Sequence, residues 1–265
     1  MQHDPILLGS ITDATDAVRG HVVVSGSHGG LYPAAVASQV LPRGVFFHDA
    51  GIGLEQAGIA GVMALDRVAL AAVAVDGKSC TIGSAGEMLQ RGRVSHPNQT
   101  ALHQGVRPGM AVAQAAQALA NAPLPKTTLP PVAELRKTVR IAAGRDVELL
   151  DSASLVNTRD AGKIVITGSH GGLIGGNPAR ALKAKARIAC FNDAGFTPAD
   201  IAKSRLPALD RAGVAAVLIS CETARIGDAL SSLETGQISF ANALAEQLGA
   251  KTGLHLKTWL EMLPD

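Results

Sequence analysis

The sequence predicts an α/β protein of two pseudo-symmetric halves, each a β-α-β-α-β succession with mostly parallel strands. Three observations predict it. Short apolar runs alternate with segments of helical composition. A ten-residue motif returns almost unchanged far along the chain. The runs AAVAV (71–75) and AAVLIS (215–220) are apolar at nearly every position, as strands buried on both faces of a parallel sheet are.

The repeat is the strongest of these signals. VVVSGSHGGL at 22–31 returns as IVITGSHGGL at 164–173, 142 positions on. After a two-residue insertion the offset becomes 144. It then pairs FHDAG (47–51) with FNDAG (191–195), ALDR (64–67) with ALDR (208–211), and Ile82-Gly83 with Ile226-Gly227. An internal duplication explains these matches. The expected division is a first α/β repeat at 1–121, a proline-rich linker and lead-in at 122–148, and a second repeat at 149–265.

Within each repeat VVVSG or IVITG forms a strand that ends at glycines. LYPAAVASQVL and NPARALKAK follow with helical composition, and GVFFHDAG and RIACFNDAG supply second strands. Thr197-Pro198-Ala199-Asp200 carries a helix-start signature, with threonine at the cap and proline at the first helical position. That helix is expected to run to about Arg211, and its counterpart to Arg67. Further helices are expected at 83–91 and 227–235 and over the last 25 residues of each copy, opened by Ser95/Asn98 and Ser239/Asn242 with the serines as the expected caps. Arg136, Lys137, Arg140 and Arg145 read as solvated basic surface.

Composition bounds the function. The chain has 265 residues, 47% apolar and 17% charged, with a net charge of +2, which is globular rather than disordered. Aromatic residues make up 3% and no basic stripe is present, so nucleic acid is not an expected partner. No apolar run reaches the length of a membrane helix. The start Met1-Gln2-His3-Asp4-Pro5 lacks the features of a secretory signal, and three widely spaced cysteines suggest no disulfide framework. A cytoplasmic protein is expected, with assembly into a homo-oligomer left open.

Ligands of open α/β sheets bind beyond the carboxyl ends of the strands, where the repeated polar motifs fall. In GSHGG the glycines Gly29, Gly30, Gly171 and Gly172 allow close approach and could cradle an oxyanion on their amides. His28 and His170 are the candidate proton carriers, and Ser27 and Ser169 are secondary candidates. Asp49 and Asp193 are candidates to orient those imidazoles or act as bases. His48 stands opposite Asn192, so the halves differ where chemistry needs asymmetry. Arg225 is placed to clamp a substrate carboxylate, and Asp228 lies beside it at a helix start. Cys80 stands opposite Ala224 and Cys221 opposite Gly77. The chain therefore lacks the paired cysteines of the aspartate/glutamate racemases, which are also built from two similar α/β halves.

These residues point to an enzyme acting on a small polar or anionic metabolite in a cleft between the repeats. The leading expectation is a hydrolase of an amide or related C–N bond. The alternatives are a cofactor-independent isomerase, racemase or lyase on a small carboxylate, and a non-catalytic cytoplasmic protein that binds a small anion. No cofactor is expected. The spacing matches no metal motif, and a divalent metal among His28, His48, Asp49, His170 and Asp193 is the alternative weighed.

Overall fold

Strands that are apolar at every position need cover on both faces, and each of two α/β units supplies it. The computed structural model describes residues 4–142, 144–195 and 203–264. Unit 1 comprises residues 1–52 and 56–133; unit 2 comprises 53–55 and 134–265.

Unit 1 contains β1 (Ile6–Leu8), β2 (Val22–His28), α1 (Leu31–Gln39), β3 (Gly44–His48), α2 (Ala60–Ala64), β4 (Ala71–Val75), α3 (Ala85–Arg91), β5 (Val94–Pro97), α4 (Gln99–His103) and α5 (Val112–Leu119). Its sheet order is β1-β2-β3-β4-β5, parallel except for β5 against β4. Side chains alternate between the faces. Val22, Val24, Phe46 and Val73 pack with Met88, Ala115 and Leu119, while Val23, Val45, Phe47 and Ala72 pack with Ala34 and Val62. The proline-rich stretch folds back onto this unit: Leu129 is buried in the second of these clusters, and its N–H donates to Ser38 Oγ (3.0 Å).

Unit 2 contains β6 (Arg136–Arg140), β7 (Asp146–Leu150), β8 (Ile164–His170), β9 (Ile188–Asn192), α6 (Arg205–Arg211), β10 (Ala215–Ile219), α7 (Ala229–Glu234), β11 (Ile238–Ala241), α8 (Ala243–Gln247) and α9 (Leu256–Met262). Strands β7 to β10 are parallel, and β11 and β6 are antiparallel edges. The exposed edge β6 carries Arg136, Lys137 and Arg140, charges that discourage further strand pairing. Arg145 departs from the expected solvated surface, because its guanidinium donates to the carbonyls of Leu260, Glu261 and Leu263. Among the described residues no helix is long and apolar enough to cross a membrane.

Three expectations are corrected. NPARALKAK does not form a helix: Gly175 and Gly176 adopt φ of 62° and 68°, and Asn177 caps only a single 3-10 turn over Pro178–Arg180. Ser95 and Ser239 lie in β5 and β11, and the caps of α4 and α8 are Asn98 and Asn242, each accepting from the amide three residues on. The aspartates of the two ALDR motifs serve those same helix starts: Asp66 accepts from the Gln99 and Thr100 amides and Asp210 from that of Leu244. Third, GSHGG is not wholly a turn. Gly26 to His28 and Gly168 to His170 belong to the strands, with a register shift just before each histidine. The Thr197–Asp200 cap lies outside the described residues.

Candidate functional site

Strand β2 delivers His28 to the carboxyl edge of the unit 1 sheet, paired in register with His48 of β3. Its Nδ1 accepts from the Gly30 N–H (3.2 Å), and Gly30 is the N-cap of α1. An Nδ1 that accepts cannot carry a proton, so in the neutral ring the proton sits on Nε2. Burial, and then the neighbouring His48, lower the His28 pKa to about 4. His28 is therefore neutral at pH 7. His170 makes the matching contact in unit 2, its Nδ1 accepting from the Gly172 N–H (3.2 Å), and pairs in register with Asn192.

His48 is 1% exposed and engaged at both ring nitrogens. Nδ1 accepts from Ala50 N–H (3.0 Å) and Nε2 donates to Cys80 O (3.3 Å). Burial lowers its pKa, against the opposing effect of Asp49. Asn192 makes the same pair of bonds: Oδ1 accepts from Ala194 N–H (2.8 Å) and Nδ2 donates to Ala224 O (3.1 Å). The His-to-Asn difference thus conserves one donor and one acceptor. Volume is conserved too. A Cβ on Gly77 would meet both His48 Cε1 and Asp49 Oδ1 at 2.9 Å, whereas unit 2, with the smaller Asn192, has Cys221 at the aligned position.

This exchange can be tested in unit 1. His48→Asn should cost only about 1 kcal/mol, a small cavity with both bonds kept. His48→Leu should cost about 2–4 kcal/mol, because it strands a buried N–H and a buried C=O. Gly77→Cys should destabilise the wild type and cost less in His48→Asn, where the collision with the imidazole is gone. Urea unfolding of the wild type, Gly77→Cys, His48→Asn and their double variant, read as a double-mutant cycle, checks this, with His48→Leu measured beside it. Additive losses for Gly77→Cys and His48→Asn would refute it.

Asp49 follows β3 and is 4% exposed; its Oδ1 accepts from the Gly51 (3.0 Å) and Gly77 (2.9 Å) amides. Asp193 Oδ1 accepts from Gly195 (3.1 Å) and Cys221 (2.9 Å), and burial raises its pKa despite those bonds. The serines point away from chemistry with the adjacent histidines: Ser27 Oγ accepts from Ile11 N–H (3.0 Å) and Ser169 Oγ from Ala153 N–H (2.8 Å). The glycine amides are engaged as well. Gly29 and Gly171 donate to the carbonyls of His48 and Asn192 (2.9 Å each), and Gly30 and Gly172 donate to the imidazoles. Their smallness matters more directly, since a Cβ on Gly30 would meet His28 Nδ1 at 2.7 Å.

Arg225 donates to Asp228 Oδ2 (2.9 Å) and to Glu55 Oε2 (3.1 Å), Glu55 lying in the short segment that belongs to unit 2. Asp228 also caps α7 by accepting from Ser231 N–H (2.8 Å). Both guanidinium contacts are therefore with carboxylates of the chain itself. All three cysteines are buried thiols, and burial pushes Cys80 up to about 12 and raises Cys190 and Cys221. They stay protonated at neutral pH. Among the described residues no group of three or more His, Cys, Asp or Glu side chains could hold a metal ion.

Sequence reasoning missed Arg205, a 2% exposed guanidinium beside the second glycine turn. Nη2 donates to Gly172 O (3.2 Å) and Nη1 to Ala181 O (2.6 Å). The available signal was an arginine aligned with Gly61, which the repeat comparison passed over. Comparison of the chain with protein-family models, with curated proteins and with solved structures finds no match.

Proposed function

We propose that the chain is an internally duplicated enzyme that acts on the carbonyl group of a small polar, anionic metabolite, most simply as a hydrolase of an amide or related C–N bond. The observation that carries this reading is His28. Its Nδ1 is tied to a helix-start amide and its ring is held neutral, which leaves Nε2–H as a fixed donor at the strand ends. Such a donor stabilises negative charge developing on a carbonyl oxygen without itself changing protonation state. In this reading water attacks the carbonyl carbon. Asp49, whose Oδ1 is fixed by two amides, takes the water proton on Oδ2. The C–N bond then breaks as the proton held on Asp49 Oδ2 passes to the leaving nitrogen, which restores the carboxylate.

The hydrogen bonds of Ser27 and Ser169 to backbone amides support a route with no serine-bound intermediate. The same donor would hold an enolate, so a cofactor-independent isomerase, racemase or lyase on a small carboxylate is the second reading. Binding of a small anion without turnover is the third. Duplication is supported by the two sequence offsets and by the recurrence of the His–Gly, Asp–amide and glycine–carbonyl bonds in each unit. A cytoplasmic location and self-assembly remain part of the proposal and rest on sequence alone.

The test is ammonia release from a panel of small carboxylated amides, ureides and cyclic imides. Where the wild type turns over a substrate, His28→Ala should lower kcat by about 10²–10³-fold, the usual loss for one oxyanion donor. Equal rates in the two proteins would reject the mechanism. Solvent deuterium entering next to a carboxylate, with no ammonia released, would favour the isomerase or lyase reading.

A further inference from the structure

Unit 2 buries a cation that no carboxylate among the described residues neutralises. Arg205 opens α6, and its guanidinium is oriented by the carbonyls of Gly172 and Ala181 and by the ring of Phe191, 4.5 Å away. None of these groups carries a net charge. Its Nε is buried with no hydrogen-bond partner among the described residues. Burial lowers its pKa to about 10, which still leaves it charged at neutral pH. Unit 1 makes the equivalent helix start without such a side chain. The aligned residue of unit 1 is Gly61, whose backbone donates to Gly29 O (2.8 Å) as that of Arg205 does to Gly171 O (3.1 Å). A helix start that works with glycine has been given a buried positive charge in unit 2. Its location is also informative. Gly172, whose carbonyl receives Nη2, is the residue whose amide donates to His170.

We infer that Arg205 is the cation of a carboxylate-binding site in unit 2. Nε–H and an Nη2–H form one edge of the guanidinium, the fork that donates to both oxygens of a carboxylate. The two carbonyls and Phe191 fix that fork in place, so a bound carboxylate meets a preorganised donor pair. The site deepens the proposed function by naming the anionic group of the metabolite as a carboxylate. It is read by binding alone, so its failure and the failure of the catalytic reading are separable. The proposal is for a ligand carboxylate; Asp200, outside the described residues, is the nearest carboxylate before Arg205 in sequence and is tested against it.

The experiment uses the full chain and acetate, with chloride held at equal ionic strength and inorganic phosphate as a parallel arm. Acetate should raise the wild-type Tm saturably, by about 5 °C or more at a hundredfold excess over its Kd. Arg205→Met should lose the shift, Arg205→Lys should weaken Kd tenfold or more, and Asp200→Asn should keep the shift. Because Arg205→Met removes a buried anchor and could unfold the protein, the wild type is also followed by the arginine Nε–H resonances. One of them should move with acetate at the same Kd. No acetate response in the wild type, or equal shifts in wild type and Arg205→Met, would overturn the site. So would an acetate response that appears only in Asp200→Asn, since Asp200 would then be the carboxylate on Arg205. A response to phosphate alone would overturn the carboxylate assignment.

Discussion

Gly26→Ala is expected to destabilise the protein by about 3 kcal/mol or more, and Gly168→Ala by a similar amount, through backbone collision alone. Both glycines lie inside strands at ordinary negative φ, so the left-handed region is not the reason for them. A Cβ on Gly26 would sit 2.6 Å from Gly83 C and 2.7 Å from Gly9 O. One on Gly168 would sit 2.5 Å from Gly227 C and 2.7 Å from Asp151 O, and would also meet Asp228 N. These neighbours are main chain and cannot rotate aside. They are also bonded partners: Gly83 N–H donates to Gly26 O and Gly227 N–H to Gly168 O, both at 2.8 Å. The Ile-Gly segments therefore press main chain against main chain at the first glycine of each GSHGG. Gly86 is the control. It lies within α3 with nothing within 4 Å of its added Cβ, so Gly86→Ala should be neutral or stabilise by about 0.5–1 kcal/mol. Urea unfolding followed by circular dichroism reads all three. A Gly26→Ala midpoint equal to the wild type would mean that the strand shifts to accept the methyl group.

That close approach shows what one sequence can and cannot convey. The strands AAVAV and AAVLI were legible, because burial on both faces demands apolar residues at consecutive positions. The repeated glycines, Ile-Gly pairs and aspartates were legible as positions under constraint. Their partners were not, since each lies on another element: Gly83 against Gly26, Ile11 on Ser27, Cys80 on His48. The edge strand β5 was hidden because Val94-Ser95-His96-Pro97 is short, partly exposed and carries a proline. The missing helix after Leu173 was hidden because Pro178-Ala179-Arg180 is good helix-start composition, and two left-handed glycines just upstream decide the outcome. Of the candidate histidines and aspartates, only the placement at strand ends was legible. Whether a glycine amide is open to a ligand or already bonded depends on a three-dimensional contact, and here the amides are bonded. His48 opposite Asn192 looked like chemical asymmetry. It conserves a donor and an acceptor instead, and an alignment of residue names cannot display that.

The largest pH effect should come from His28. An unfolded histidine titrates near 6.5, whereas burial and the neighbouring His48 hold His28 near 4 in the folded chain. Between these values the unfolded state binds more protons, so stability is fully present above pH 6.5 and falls as the pH drops toward 4. A difference of this size is worth about 3 kcal/mol. His48, also lowered by burial, adds loss in the same direction. The comparison that isolates the group is wild type against His28→Gln, which does not titrate, with urea unfolding measured from pH 7.5 to 4. Carboxylates contribute equally to both curves, so the wild type should lose about 3 kcal/mol more than the variant. Parallel curves would mean that His28 titrates normally when folded. The same titration bears on the proposed chemistry. If Nδ1 keeps its bond to the Gly30 amide, nitrogen-15 spectra should show the proton on Nε2 throughout pH 5–8. Turnover should then show no inflection near 6.5, because a donor already neutral has no proton to gain or lose there. An inflection at 6.5 lost on His28→Gln would instead make His28 the general base, and the hydrogen bond from Gly30 would have to open during catalysis.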